Sequence, residues 1–297
     1  MKNISLVIAT LFISGLSFGQ KLVVYREKFK IGFQDSSGNV IVPAKYSFVE
    51  RFSEGLAAVC LKDKWGFVNQ AGKEIIPLKY DNVWSFSDGL ARVGKKGRYG
   101  FIDVTGKTII PLKYSNALRF SNGFTQVERN GKWGIINLAG KVVAPLKYDN
   151  IGVSGFYNGF ALVEKNGKWG CIDTTGKEVI PVRYNDIAYF EEGFAAVKIG
   201  EKWGFIDQTG KVVIAPKYDE AFFFDNGLAL VKLGKDSSSD VRYGFIDKTG
   251  AVVVPIIYDE AKVISINVNG LYPEGACAWL RLGNKKIFID KNGTEIK

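Results

Sequence analysis

The chain has 297 residues, of which 46% are hydrophobic and 24% charged, and its 40 basic and 30 acidic residues give a formal net charge of +10. This composition is typical of a folded soluble protein and excludes a largely disordered or membrane-embedded chain. Because the chain contains no histidine, it lacks the usual acid–base residue, the common catalytic triads and most zinc sites.

The first predicted element is a secretory signal peptide over residues 1–20. Lys2 supplies a positive charge, the stretch from Ile4 to Phe12 is almost wholly apolar, and Ser17-Phe18-Gly19 places small residues where a signal peptidase reads. The apolar run is shorter than the roughly 20 residues of a spanning helix, which argues against an uncleaved anchor. We therefore expect an exported protein, periplasmic, at the cell surface or secreted, with no transmembrane segment after signal removal and a mature domain at 21–297.

The mature domain repeats one phrase, typified by "KWGFIDQTGKVVIAPKYDEAFFFDNGLALV" from Lys202 to Val231. A glycine recurs at intervals of mostly 34 residues, at Gly32, Gly66, Gly100, Gly134, Gly170, Gly204 and Gly244. The residue before it is aromatic in six copies, namely Trp65, Tyr99, Trp133, Trp169, Trp203 and Tyr243, and is Ile31 in the first copy. An eighth copy, "KKIFIDKNGTEI", ends the chain in a degenerate form. A period of this length is the signature of a tandem-repeat architecture.

On these residues the chain resembles the WG-repeat (KWG-repeat) proteins, and the resemblance covers essentially all of the mature domain. The resemblance implies bacterial origin, frequent export and an interaction role. The chain departs from the pattern at its ends, where Ile31 replaces the tryptophan and Lys286-Ile287 replaces the whole dipeptide.

Each copy is predicted to form a three-stranded antiparallel meander. In the copy quoted above, "GLALV" and "KWGFID" are the strands that flank glycine turns, and "KVVIAP" is the third strand. Asp207-Gln208-Thr209-Gly210 matches a type I turn with a positive φ at the glycine, so the recurring aspartate is first of all a turn former. Proline ends the third strand because it cannot donate to a ladder.

One copy is too small to cover both faces of its central strand, so consecutive copies must share a core. We expect each tryptophan ring to pack over the glycine of another copy, and the recurring tyrosine to pack between copies. The sequence predicts an all-β array of about eight repeats stacked as an open β-solenoid or superhelix. A closed propeller of seven or eight blades is the alternative; the degenerate terminal copies favour the open form.

Basic residues recur before the tryptophan position, after the turn glycine and before the tyrosine. The third set includes Lys79, Lys113, Lys147, Arg183 and Lys217. Such rows either attract an acidic polymer such as an anionic glycan or protect strand edges from pairing with other chains.

The stretch before each Glu/Asp/Asn-Gly turn varies between copies, and Trp84, Phe156 and Tyr157 stand out there as candidates for a binding surface. Repeat proteins often place specificity in such variable stretches. The insertions at Gly234–Asp240 and Lys262–Pro273 also depart from the period.

No catalytic, cofactor or metal residues are predicted. The prominent aspartates recur with the turns, whereas a catalytic pair is unique; a non-repeated carboxylate such as Glu191 is the residue an enzyme hypothesis would need. Cys60, Cys171 and Cys277 fall in different copies and are interpreted as core or strand residues rather than as a disulfide. The favoured function is a non-enzymatic scaffold for protein–protein interaction in the bacterial cell envelope. The alternative is a binder of acidic glycan or another envelope polymer, and nucleic acid is disfavoured.

Overall fold

The computed structural model describes residues 22–234, 240–264 and 272–296. Every regular element in these ranges is a β-strand. The predicted signal peptide at 1–20 lies outside the described residues, as do the central parts of both insertions.

The chain divides into two compact units. Unit 1 contains the described residues up to Lys96 together with Ile102–Thr108, and unit 2 contains Gly97–Phe101 and the described residues from Ile109 onward. The strands that cross the division are β10 (Arg98–Asp103) and β11 (Thr108–Tyr114).

Unit 1 begins with a three-stranded antiparallel sheet, which is followed by a four-stranded one. The first sheet consists of β1 (Val23–Glu27), β2 (Lys30–Gln34) and β3 (Val40–Tyr46). The second consists of β4 (Phe48–Val49), β5 (Leu56–Leu61), β6 (Lys64–Asn69) and β7 (Glu74–Tyr80). The paired strands β8 (Asn82–Val83) and β9 (Leu90–Lys95) follow.

Unit 2 contains five four-stranded sheets among its described residues, each with its strands paired in chain order. The first is β12 (Asn116–Ala117), β13 (Phe124–Arg129), β14 (Lys132–Asn137) and β15 (Val142–Tyr148). The second is β16 (Asn150–Ile151), β17 (Phe160–Lys165), β18 (Lys168–Asp173) and β19 (Glu178–Tyr184). The third is β20 (Asp186–Ile187), β21 (Phe194–Ile199), β22 (Lys202–Asp207) and β23 (Val212–Tyr218). The fourth is β24 (Glu220–Asp225), β25 (Leu228–Leu233), β26 (Arg242–Asp247) and β27 (Val252–Tyr258). The fifth is β28 (Glu260–Val263), β29 (Ala278–Leu282), β30 (Lys285–Ile289) and β31 (Glu295–Ile296).

The three predicted strands of each copy are present, and the four-stranded sheets add a strand that the sequence did not predict. This strand is only two residues long in most sheets, as where Asn150 and Ile151 pair with Glu164 and Val163. A two-residue segment carries no alternation of apolar and polar side chains, which explains why it was missed. The predicted turn is confirmed, because the N–H of Gly210 donates to the carbonyl of Asp207 at 2.9 Å and its φ is +83°. The prediction that proline ends the third predicted strand is wrong, because Pro216 lies inside β23 and the strand continues to Tyr218 at the sheet edge.

The cores lie between consecutive sheets. In unit 2, Ile135, Ala144 and Tyr148 of the first sheet cluster with residues of the second sheet, namely Ile151, Ala161, Val163 and Ile172. In unit 1, the cluster likewise joins Phe33, Val42 and Tyr46 of the first sheet to Ala57, Val59 and Val68 of the second. These clusters confirm the prediction of an all-β array in which each repeat completes the core of its neighbour, and they place the recurring tyrosine in that core.

Candidate functional site

The signature tryptophans are half-buried at the edges of these inter-sheet cores. Trp133, Trp169 and Trp203 each pack against a different cluster. Each of them also pairs with the buried tyrosine that ends the last strand of its own sheet, β15, β19 or β23. Trp65 occupies the same position in unit 1, paired with Tyr80. The signature aromatics therefore contribute to the packing between sheets.

The prediction that a tryptophan ring covers the signature glycine of another copy is wrong. A Cβ on Gly66, Gly134, Gly170 or Gly204 would instead meet the backbone of the last strand of its own sheet, which is β7, β15, β19 or β23. That strand bulges at this point: Trp133 pairs with Tyr148, whereas Ile135, two residues on, pairs with Ala144. Because the bulged strand passes directly over the glycine, no side chain fits between them.

The glycine that does contact a neighbouring copy is the one in the type I turn. A Cβ on Gly140 would touch the Ile110 side chain, and one on Gly210 would touch the Ile180 side chain. Ile110 lies in β11 and Ile180 in β19, each the last strand of the preceding copy's sheet. The turn aspartate beside this glycine is structural. Asp207 Oδ1 accepts hydrogen bonds from the N–H and hydroxyl of Thr209 and from the N–H of Lys211, and the Thr209 hydroxyl is the main cause that lowers the pKa of Asp207.

The basic row before the tryptophan is largely neutralised. Lys64 and Lys202 each contact the aspartate that follows the tyrosine, Asp81 and Asp219, at 2.7 Å, and Lys132 contacts Asp149 in the same way. These hydrogen bonds are the main cause that lowers the pKa of all three carboxyls. Each aspartate also accepts a backbone N–H from the next hairpin, as where Gly234 donates to Asp219 at 2.9 Å.

Three copies lack this aspartate: Ser47 and Ser115 stand at its position in two of them, and Asn185 stands there in the copy between those of Asp149 and Asp219. Asn185 keeps the backbone contact, accepting the N–H of Gly200 at 3.0 Å, but it brings no charge to Lys168. Lys168 lines a cleft of about 350 Å³ together with Lys147, Lys165 and Glu178, and Lys165 pairs directly across the hairpin from it. Like charges facing each other across a hairpin repel.

The row before the tyrosine is exposed. Lys79 in unit 1 and Lys113, Lys147, Arg183 and Lys217 in unit 2 are all exposed. Each cationic group lies 5.1–5.3 Å from the ring centroid of the adjacent tyrosine. The row follows the last strand of each sheet in chain order, which lies at the sheet edge. Lysine and proline on an edge strand block pairing with other chains, so the protective interpretation has direct structural support.

The three candidates in the variable stretches have different environments. Trp84 in unit 1 is 36% exposed, and the Arg92 guanidinium stacks on its ring at 3.2 Å from the centroid. Phe156 packs against Phe124 at 4.8 Å, on the edge of an inter-sheet core. It does not break the period, because it is a recurring phenylalanine displaced by two inserted residues, and its equivalents are all buried or partly buried, namely Phe52, Phe86, Phe120, Phe190 and Phe224. Phe156 is itself partly buried, and its place in a binding surface stays a prediction.

Tyr157 is 41% exposed and lines a cleft of about 290 Å³ in unit 2. The other lining residues are Ser154, Ala188, Tyr189, Glu191 and Phe223. The Tyr157 and Tyr189 rings meet at 68° with centroids 5.4 Å apart. The Tyr157 hydroxyl donates to Glu191 at 2.7 Å, and this bond is the main cause that raises the pKa of Tyr157.

Sequence reasoning found only Tyr157 among the aromatics of this cleft, which we call the aromatic cleft. Tyr189 and Phe223 occupy the same position in consecutive copies, where Ser85 and Arg119 stand earlier in the chain. A comparison of that single position across copies would have revealed the change from polar to aromatic. The interval of 36 residues between Gly134 and Gly170 marks the same place, because the two extra residues lie beside Tyr157.

The three cysteines are free, and Cys60 and Cys171 are buried, as predicted for core residues. Burial raises the pKa of the Cys171 thiol to about 12, so it is protonated at neutral pH. Within residues 22–234, 240–264 and 272–296, no three acidic or cysteine side chains are grouped as metal ligands. The same ranges contain no helix that is long and apolar enough to cross a membrane.

The fold and its shared cores define a β-repeat protein of the tandem-array class. The family model described as "WG containing repeat" matches seven consecutive segments, at residues 31–65, 65–99, 99–133, 133–169, 169–203, 203–235 and 243–285. The chain belongs to this family.

No curated protein sequence matched the chain. Among solved structures, a crystal structure of a eukaryotic initiation factor is 12% identical, with a TM-score of 0.46 over 93% of this chain and 84% of that one. Hsv2 of Kluyveromyces lactis is 9% identical, with a TM-score of 0.35 over 77% of this chain and 95% of that one. Both TM-scores lie below 0.5, so neither likeness bears on function.

Proposed function

We propose that this chain is an exported, non-enzymatic repeat scaffold that binds a protein partner in the bacterial cell envelope. One observation carries the proposal: the recurring apolar residues of the inter-sheet clusters are buried, whereas several large apolar residues that do not recur are exposed in the variable stretches. In unit 2 these are Val153, Tyr157, Phe222 and Phe223, which are 91%, 41%, 41% and 46% exposed. Exposed aromatic side chains that are held in place are enriched at protein interfaces.

Export is supported by the sequence of residues 1–20 and is tested separately. Fusion of these residues to alkaline phosphatase, which folds only outside the cytoplasm, is expected to give activity. Replacing the apolar run from Ile4 to Phe12 with polar residues is expected to abolish it. Activity that survives this replacement would contradict export by this segment.

Binding is tested by photo-crosslinking in cells, with a benzophenone amino acid placed at Val153 or Phe222. We expect adducts of discrete mass whose mobility glycosidase does not change. Leu138, which is 38% exposed on a turn of the same unit, is the matched control position. Equal adducts at Leu138 and Val153, or none at either variable position, would contradict the proposal.

The exposed lysine row favours one alternative, a binder of acidic envelope glycan. In this case, replacing Lys113, Lys147, Arg183 and Lys217 with glutamine would weaken binding to an anionic polysaccharide and flatten its salt dependence. The matched control replaces four exposed lysines that follow the turn glycines, Lys73, Lys141, Lys177 and Lys211. Equal effects of the two sets would show that only net charge matters and would argue against a built glycan site.

A further inference from the structure

The aromatic cleft in unit 2 is held in place by contacts that the other copies lack. The N–H of Ser154 donates to the Tyr189 hydroxyl at 3.1 Å, and the Tyr157 hydroxyl donates to Glu191 at 2.7 Å. Both bonds join side chains or backbone of consecutive copies. Rings fixed in this way lose little conformational entropy when a ligand binds.

Gly152 provides the space for this arrangement. A Cβ at this position would collide with the Tyr189 hydroxyl, and its φ is not among the positive values, so the backbone itself does not require glycine. At the equivalent position other copies carry side chains, namely Trp84, Leu118, Ala188 and Phe222. The Tyr189 side chain therefore occupies space that is open because residue 152 is glycine.

The geometry points to a specific kind of occupant. The Tyr157 and Tyr189 rings contact each other edge to face, so they form an angled surface rather than a flat platform, and Phe223 is a third aromatic residue in the cleft lining. A sugar ring stacks on one open aromatic face, whereas proline rings of a polyproline II segment dock in grooves lined by several aromatic side chains. The cleft volume of about 290 Å³ suits a few residues of such a segment.

The polar groups agree with that occupant. The Tyr189 hydroxyl accepts from Ser154 and still carries its own proton to donate. A polyproline II segment has no internal hydrogen bonds, so its carbonyls accept such donors. Glu191 is the one charged residue among those lining the described cleft, and its carboxylate has acceptor capacity left after the bond from Tyr157.

We propose that the aromatic cleft binds a proline-rich segment of the protein partner, with a lysine or arginine of that segment paired to Glu191. This inference rests on the proposed function, since it names the part of the partner that this surface recognises. A negative cleft on a chain of net charge +10 also disfavours an acidic polymer at this particular place.

The test uses the mature chain and an array of short synthetic peptides that place prolines in every register around one arginine. Dissociation constants are measured by fluorescence anisotropy for the peptides that bind. We expect Tyr189→Ala and Phe223→Ala to weaken binding at least tenfold. Glu191→Gln is expected to weaken the arginine peptides about fivefold while leaving alanine-for-arginine versions unchanged. Leu138→Ala is the control for an exposed apolar residue outside the cleft, and urea unfolding verifies that each variant folds.

Two outcomes would overturn the proposal. The first is an array in which no proline peptide binds in a Tyr189-dependent manner. The second is Tyr189-dependent binding of a neutral oligosaccharide such as chitohexaose in place of the peptides. If the cleft assignment fails in one of these ways, photo-crosslinks from Val153 or Phe222 that persist in Tyr189→Ala would show that the scaffold function still holds. The absence of crosslinks from both positions in a chain that keeps Tyr189 would contradict the scaffold function itself.

Discussion

The interior between sheets and the variable stretches of unit 2 follow opposite rules. In the interior, one set of residue types recurs from copy to copy, and a change at one position affects two sheets at once. In the variable stretches, neighbouring copies differ in side-chain size, charge and exposure. Phe223 and Phe224 show the contrast within one strand, because they are 46% and 1% exposed.

The comparison indicates that repetition in this chain is a requirement of folding. A repeat that cannot cover its own strands must match its neighbour, and this constraint fixes the signature residues wherever two sheets meet. Residues that do not lie between two sheets are not subject to this constraint. Binding specificity is therefore expected at the positions that differ between copies.

The largest expected effect comes from placing a side chain on a signature glycine. In Gly204→Val, the new Cβ would overlap the backbone of Ile214 and Pro216, so the edge strand has to move away from the sheet. We expect a loss of more than about 4 kcal/mol or a failure to fold. Urea unfolding measures it. The control, Gly227→Ala, changes a turn glycine with φ +83° and open space around it, and should cost only about 1–2 kcal/mol. Equal losses would refute the close-approach argument.

The next prediction compares the loss of stability when either of two adjacent phenylalanines is replaced. Phe224 packs on Phe205 at 4.8 Å and on Phe194 at 5.3 Å, joining two sheets. Phe224→Ala is expected to cost about 4 kcal/mol, whereas Phe223→Ala should change the free energy of unfolding by less than about 0.5 kcal/mol. Chemical denaturation of the two variants checks this difference. A large loss for Phe223→Ala would show that the aromatic cleft is part of the core.

Much of the fold could be predicted because the phrase is long and repeats in register. Turn chemistry fixed the strand boundaries at residues such as Asp207 and Gly210, and the need to cover the central strand predicted the shared core. The role of Gly204 could not be predicted, since the bulge that crosses it depends on pairing geometry that no periodicity reveals. The recurring core phenylalanine, such as Phe190 or Phe224, was not predicted because it lies in the stretch whose other residues vary between copies.

The candidate site was less predictable. The exposed lysine row followed from the period, but its position on the sheet edge depended on strand order. The aromatic cleft combines Tyr157, Tyr189 and Phe223 from three copies with the absence of a side chain at Gly152. Only the three-dimensional stacking of those copies shows that the four positions belong together.

A smaller effect, spread over many repeats, concerns pH. The turn and ion-pair aspartates, including Asp207 and Asp219, have pKa values below the ordinary value of 3.8 because they accept hydrogen bonds in the folded state. A carboxyl with a lowered pKa stabilises the fold above its unfolded pKa, and that contribution is lost as the pH falls through the folded pKa. We expect the urea midpoint to be constant from neutral pH to about pH 5 and to fall steadily below about pH 4. A midpoint that stays constant down to pH 2 would contradict the assigned contacts.

The smallest expected effect is the gain in stability when Lys168 is given the ion-pair partner that its equivalents have in other copies. Asn185→Asp supplies Lys168 with the carboxylate that Lys202 has in Asp219 at 2.7 Å, while Gly200 keeps its acceptor. Because such pairs are largely exposed, we expect a gain of only about 0.5 kcal/mol at neutral pH. The gain should shrink in high salt and disappear as the pH falls below about 4, since the new carboxyl becomes protonated. Asn185→Ala, which removes the backbone contact as well, should instead be destabilised at every pH. An Asn185→Asp gain that is insensitive to salt would mean that the stabilisation arises from the hairpin contact and not from the charge of Lys168.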